Sequence, residues 1–131
     1  MNDESKKIRV FTDLIAWQEA HKLALKIYKI TETFPQNERY SLIDQMRRAA
    51  ISMTSNIAEG FSRGSYKEKI YFYFIAQGST TELQNQAILS KDLGYISRTS
   101  FDEVSRQSII VHKLLSGLVK GARKIMNNSV A

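Results

Sequence analysis

The chain has 131 residues, 43% of them hydrophobic and 24% charged, the balance of one globular domain with little room for a second. It contains no cysteine, which excludes disulfides and thiolate chemistry and fits a reducing, cytoplasmic setting. No apolar run reaches the roughly 18 residues of a membrane span, and the polar opening MNDESKKIRVF lacks the apolar stretch of a secretory signal.

Residues 1–10 and 127–131 read as flexible tails around a helical domain over 11–126. A first helix is predicted over about residues 14–33. There Ala16, Ala20, Leu23, Ile27, Ile30 and Phe34 recur at spacings of three and four, the pattern of a packed seam. Thr12 or Asp13 stands where an N-cap belongs, and Pro35 ends the segment.

A second helix is predicted over about 40–60, with Leu42, Met46, Ala49, Met53 and Asn56 or Ile57 inward. Its later part, QMRRAAISMTSNIAEG (45–60), is rich in small residues, yet carries Arg48, Asn56 and Glu59 on or beside the inward face. Charges and amides in a core are costly unless they satisfy one another. The expectation is a structural polar network of Arg48, Asn56, Glu59, Ser79 and Glu82 that fixes helix register.

Ser65-Tyr66-Lys67-Glu68 is a capping box opening a third helix, which Gly94 ends as a left-handed terminator. Its start, IYFYFI (70–75), is apolar on every side. Ser100-Phe101-Asp102-Glu103 reads as a second capping box. From there Phe101, Val104, Ser108, Val111, Leu115, Leu118, Ala122 and Ile125 keep a heptad seam, widened by Ile110, Leu114 and Val119. Short connections between four helices imply an all-α, up-down-up-down four-helix bundle. The apolar surplus on the third and fourth helices implies a covering subunit, hence a homo-oligomer.

Formal charge is +6 and unevenly spread. The first 103 residues hold 14 basic and 13 acidic side chains; the last 28 hold five basic and none acidic. Arg106, Lys113 and Lys120 recur every seventh residue and Lys124 extends their stripe, while Lys22, Lys26 and Lys29 form a second stripe on the first helix. Such stripes attract phosphate backbones through counterion release, without reading sequence. These seven side chains are the candidate nucleic-acid-binding residues. A solvated face that merely aids solubility is the plainer alternative.

Catalytic signals are weak. His21 and His112 are the two imidazoles, and neither has a Glu three residues before it, the pairing a di-metal bundle uses. No phosphate-cradling glycine loop is present. Glu59 and Glu82 would form a hydrolytic pair only if they shared an open pocket instead of pairing with Arg48. No catalytic residue, metal or cofactor is therefore assigned.

The ordered set AWQEAHKLALKIYKIT, FPQNERYSLIDQMRRAAISMTSNIAEGFSRGS, AQGSTTEL and KDLGYI resembles the bacterial four-helix-bundle proteins of 23S rRNA intervening sequences, over about residues 11–124. The resemblance implies a homopentameric barrel without enzymatic activity. A related branch comprises basic pentameric accessory proteins of diversity-generating retroelements, which bind a reverse transcriptase and nucleic acid. The family pattern falls on Trp17, Pro35, Glu38, Gln45, Arg48, Asn56, Glu59, Gly60, Gly78, Ser79 and Glu82. The reading that follows is a non-enzymatic oligomeric scaffold binding RNA or another nucleic acid. The alternative is a protein-interaction module, with a partner such as a reverse transcriptase and no direct nucleic-acid role.

Overall fold

The computed structural model describes residues 7–130, so the expected tails at 1–6 and 131 lie outside the described residues. Four helices follow one another: α1 (Ile15–Thr31), α2 (Leu42–Ser62), α3 (Tyr66–Asp92) and α4 (Arg98–Val130), with no strand among the described residues. Each helix packs on two others, in the ring α1, α2, α3, α4 and back to α1.

Cross-helix pairs fix the directions. Ser79 meets Ser52, Gly60 abuts Tyr73, and Ser90 reaches Met46, so rising numbers on α3 match falling numbers on α2. Gln77 meets Ser116 and Gln84 meets Ser108, which sets α4 antiparallel to α3 in the same way. On α1, Glu19 lies beside Gln107, while Lys29 shares a groove with Ser97 and Ser100. Every neighbouring pair so recorded runs antiparallel, as short connections dictate.

The inward residues follow the helical period. Ala16, Ala20, Leu23, Ile27 and Thr31 are buried on α1, and Met46, Ala49, Ala50, Met53 and Ile57 on α2. Val104, Ser108, Val111, Leu115, Val119 and Ala122 are buried on α4, while the last seam position, Ile125, is exposed. Each large apolar side chain wholly removed from water contributes about 1.5–3 kcal/mol before entropy is set against it. Buried hydroxyls return to their own helix: Thr31 Oγ1 donates to the Ile27 carbonyl at 2.7 Å and Thr80 Oγ1 to the Ala76 carbonyl at 2.9 Å. They therefore enter the core without an orphaned donor.

Helix ends depart from the sequence expectation in three places. Neither Thr12 nor Asp13 caps α1. Asp13 Oδ2 instead accepts from the Arg9 and Val10 N–H groups at 2.9 and 3.1 Å, closing a 3-10 turn over Phe11–Asp13, and Leu14 takes the cap position. The fourth helix starts at Arg98, with the cap three residues earlier than Ser100, because Ser97 Oγ accepts from the Ser100 N–H at 3.1 Å. It then continues to Val130, through most of the expected 127–131 tail.

Two expected ends do form. Ser65 Oγ accepts from the Glu68 N–H at 3.2 Å. Gly94 adopts φ +80°, with Gly94 N–H on the Lys91 carbonyl and Tyr95 N–H on the Ser90 carbonyl, the two bonds of a Schellman ending. The C-terminal end of α2 is served from α3: Lys69 Nζ donates to the carbonyls of Gly60 at 3.3 Å and Phe61 at 2.6 Å. Desolvation at that place lowers the Lys69 pKa.

Candidate nucleic-acid interface

On α4, Arg106, Lys113, Lys120 and Lys124 are all exposed, and none pairs with a carboxylate among the described residues. With a rise of about 1.5 Å per residue, charges seven residues apart stand about 10 Å from one another. That exceeds the Debye length of about 8 Å at physiological salt, so they repel one another little while each remains free to meet a phosphate. Arg123 departs from this row, its guanidinium 5.2 Å from the Phe74 ring centroid.

The α1 stripe is less uniform. Lys22 Nζ lies 2.8 Å from Glu19 Oε2, and Gln107 Nε2 of α4 donates to Glu19 Oε1 at 3.0 Å. The Lys22 bond, then the Gln107 bond, lowers the Glu19 pKa, so this carboxylate stays charged and offsets Lys22. Lys26 and Lys29 face α4 across a groove to which Glu103 also contributes.

The two stripes follow one another along the bundle axis. The pairing of Glu19 with Gln107 sets Lys22 level with the α4 turn that holds Arg106, and Lys26 and Lys29 level with the start of α4. Lys113, Lys120 and Lys124 continue past the start of α1. From the level of Ser97 to Lys124 the track covers about 40 Å of helix axis. Glu19 and Glu103 interrupt its α1 half.

The expected polar network does not form around Arg48. Its Nε pairs with Asp44 Oδ2 at 3.0 Å, one turn back on the same helix, and its side chain is 71% exposed. Glu59 Oε2 pairs with Arg63 Nη2 at 2.6 Å, also on the surface, and Glu82 is exposed. Arg48 and Glu59 do share a side of α2, eleven residues apart, but that side faces water. The core-side contacts are smaller. Asn56 Nδ2 donates to the Ser52 carbonyl at 2.8 Å and to Ser52 Oγ at 3.1 Å, and Ser79 Oγ donates to Ser52 Oγ at 2.8 Å. Ser52 is thus the hub, and Asn56 and Ser79 are the two expected members that it joins.

Arg47, one residue from the expected position, is the arginine that crosses between helices. Its Nε donates to Thr31 Oγ1 at 2.9 Å, and its guanidinium lies 4.7 Å from the Tyr28 ring centroid. One residue turns a helical side chain by about 100°, which separates a flank from the outer face. A second tie was missed altogether: Tyr95 Oη donates to Glu38 Oε2 at 2.8 Å, linking the α3–α4 connection to the α1–α2 connection. Its signal was Glu38 in the family pattern.

Other chemistry has little to build on. His21 is exposed and stacks on Trp17 at 4.7 Å, and His112 is half-buried. No group of three or more His, Cys, Asp or Glu that could hold a metal ion occurs among the described residues. No helix there is long and apolar enough to cross a membrane.

Comparison with curated proteins gives no match. Among solved structures the chain is similar to a protein of unknown function from the S23 ribosomal protein family of Bacteroides thetaiotaomicron. The TM-score is 0.76 at 21% identity, over 82% of this chain and 97% of the other, a likeness of fold. Residues 12–117 match the family described as 23S rRNA-intervening sequence protein. The chain therefore belongs to the 23S rRNA-intervening sequence protein family.

Proposed function

We propose that this chain is a non-enzymatic helical scaffold that assembles as a homopentamer in the cytoplasm and binds RNA along its basic track. The observation that carries the reading is the row Arg106, Lys113, Lys120 and Lys124, exposed and free of carboxylate partners among the described residues. A row of cations with no base-reading motif binds the phosphate backbone and discriminates little between sequences. The family description, which names 23S rRNA, makes structured RNA the first polyanion to test. The absence of an enzymatic role is supported by the commitments of the candidate groups: Glu59 to Arg63, Glu82 to solvent, His21 to Trp17. The pentamer rests on the family likeness and on the exposed apolar faces of α3 and α4.

The test is binding of a generic structured RNA across a salt series. Affinity is expected to fall steeply as salt rises, and R106E/K113E/K120E to flatten the log–log slope by about three phosphate contacts while the helical signal is unchanged. No binding at low salt, or binding indifferent to salt, would remove the nucleic-acid reading.

The second reading, a protein-interaction module, is favoured by exposed Tyr71, Ile88 and Ile109. A partner protein retained after nuclease treatment, with no direct RNA affinity, would select it.

A further inference from the structure

A groove of about 400 Å³ lies between the last turns of α1 and the first turns of α4. That volume falls in the range of sites that hold a small ligand or one unit of a polymer. Its lining is mixed: Lys26 and Lys29 come from α1, Glu103 from α4, and Ile30, Ile96 and Val104 supply apolar surface. Tyr95 also lines it. We infer that this groove takes one unstacked nucleotide of single-stranded RNA, with its phosphate on Lys26 and Lys29 and its base against Tyr95 and the apolar surface. The inference rests on the RNA reading above and assigns it a strand preference.

Three features select a nucleotide over a simple anion. The lysines supply two cations for a phosphate, and Arg106, one turn beyond Glu103, offers the next cation along the strand. Glu103 repels a second anion but accepts from an N–H on the edge of a base. The apolar surface gives a base a place to leave water.

Tyr95 is also set in advance. Its ring packs 5.2 Å from that of Phe34, and its hydroxyl donates to Glu38 at 2.8 Å. A ring held at both ends loses little rotamer freedom when a base packs on it. A fully paired duplex keeps its bases stacked inside and cannot use the groove. The chain is thus built to prefer single strands, although a duplex carries the denser charge.

The test compares a 12-nucleotide oligouridylate strand with a blunt 12-base-pair RNA duplex at one low salt concentration. The strand is expected to bind the full chain about ten-fold tighter. Filling the groove without changing charge, by S100F, is expected to erase that preference and leave duplex binding within about two-fold. T33W, on the exposed rim, is a second filling variant, and circular dichroism checks that each is folded. Equal binding of strand and duplex by the wild type, or a preference that survives in a folded filling variant, overturns the groove assignment and leaves the electrostatic reading standing. Binding of neither RNA overturns both.

Discussion

Gly60 lies in the last turn of α2, and it has no room for a side chain. A Cβ built there would stand 2.7 Å from Tyr73 Cε1 and 3.1 Å from Phe72 Cβ. Tyr73 is buried, so its ring cannot swing out to make space. Alanine would gain about 1 kcal/mol of helix propensity, but overpacking a filled core costs about 1–3 kcal/mol. G60A is therefore expected to destabilise the fold by up to about 2 kcal/mol, read as a lower urea midpoint at unchanged slope. A raised midpoint would show that α2 and α3 have slack at this crossing. The same contact explains the small-residue run at 45–60. Ser52, Asn56 and Gly60 recur every fourth residue, and Ser52 and Gly60 each meet α3 directly. The run thus sets how closely two helices approach.

Between elements, the bond from Tyr95 to Glu38 ties the two connections at one end of the bundle. Glu38 Oε1 also accepts from Ser41 Oγ, and the Ser41 bond, then the Tyr95 bond, lowers the Glu38 pKa. A carboxyl held below its unfolded value stabilises the fold above the ordinary glutamate pKa of about 4.3, and that contribution is lost as pH falls through the lowered one. Y95F removes only the second bond. Its acid unfolding midpoint is expected to shift upward only modestly, because the larger, Ser41 bond still holds the carboxylate. The Tyr95 pKa is raised, chiefly by this bond, so wild type should also lose the stabilisation as pH rises through that raised value. A Y95F acid limb that overlays wild type would mean the bond does not persist in solution.

This tie also marks where sequence stops being legible. Helix phase was readable, because burying Leu23, Met53 or Leu115 demands a period and the period is written in the chain. The Gly94 ending was readable because one residue type fits its φ. Arg47 and Ser97 were not, since each competes with a neighbour of the same chemistry, Arg48 and Ser100, and only the tertiary setting chooses between them. The candidate site was legible as charge. Its interruption by Glu103 was not, because that carboxylate meets Lys26 and Lys29 only across the α1–α4 seam; Glu19 pairs with Lys22 within α1 and is held there by Gln107 from α4.

For the whole molecule, the proposed assembly and the proposed RNA track come closest to one another on α4. Ile88 of α3 and Ile109 of α4 are 48% and 46% exposed and line one shallow groove, together with Phe101 and the edge of Val104. Arg106 and Lys113 stand three residues before and four residues after Ile109, so on α4 the cationic row borders this groove. Contacts through the α3–α4 side leave open the α1–α4 groove with Lys26 and Lys29, which lies on the other flank of α4. The expectation is a wild-type particle of five 15.0 kDa chains by native mass spectrometry, and a folded single chain for I88E/I109E. Joining five weak tracks multiplies affinity for a long RNA without any new contact, by about 10²–10⁴ where geometry lets the tracks engage together. I88E/I109E should lose most of that factor on a long RNA and only a few-fold, from the carboxylate set between Arg106 and Lys113, on a 12-nucleotide strand, which meets one track at a time. R106E/K113E/K120E should do the reverse of the assembly variant, keeping the five-chain mass and weakening both RNAs. A single-chain wild type at tens of micromolar would end the pentamer proposal. An assembled I88E/I109E would move the subunit contact away from the α3–α4 side.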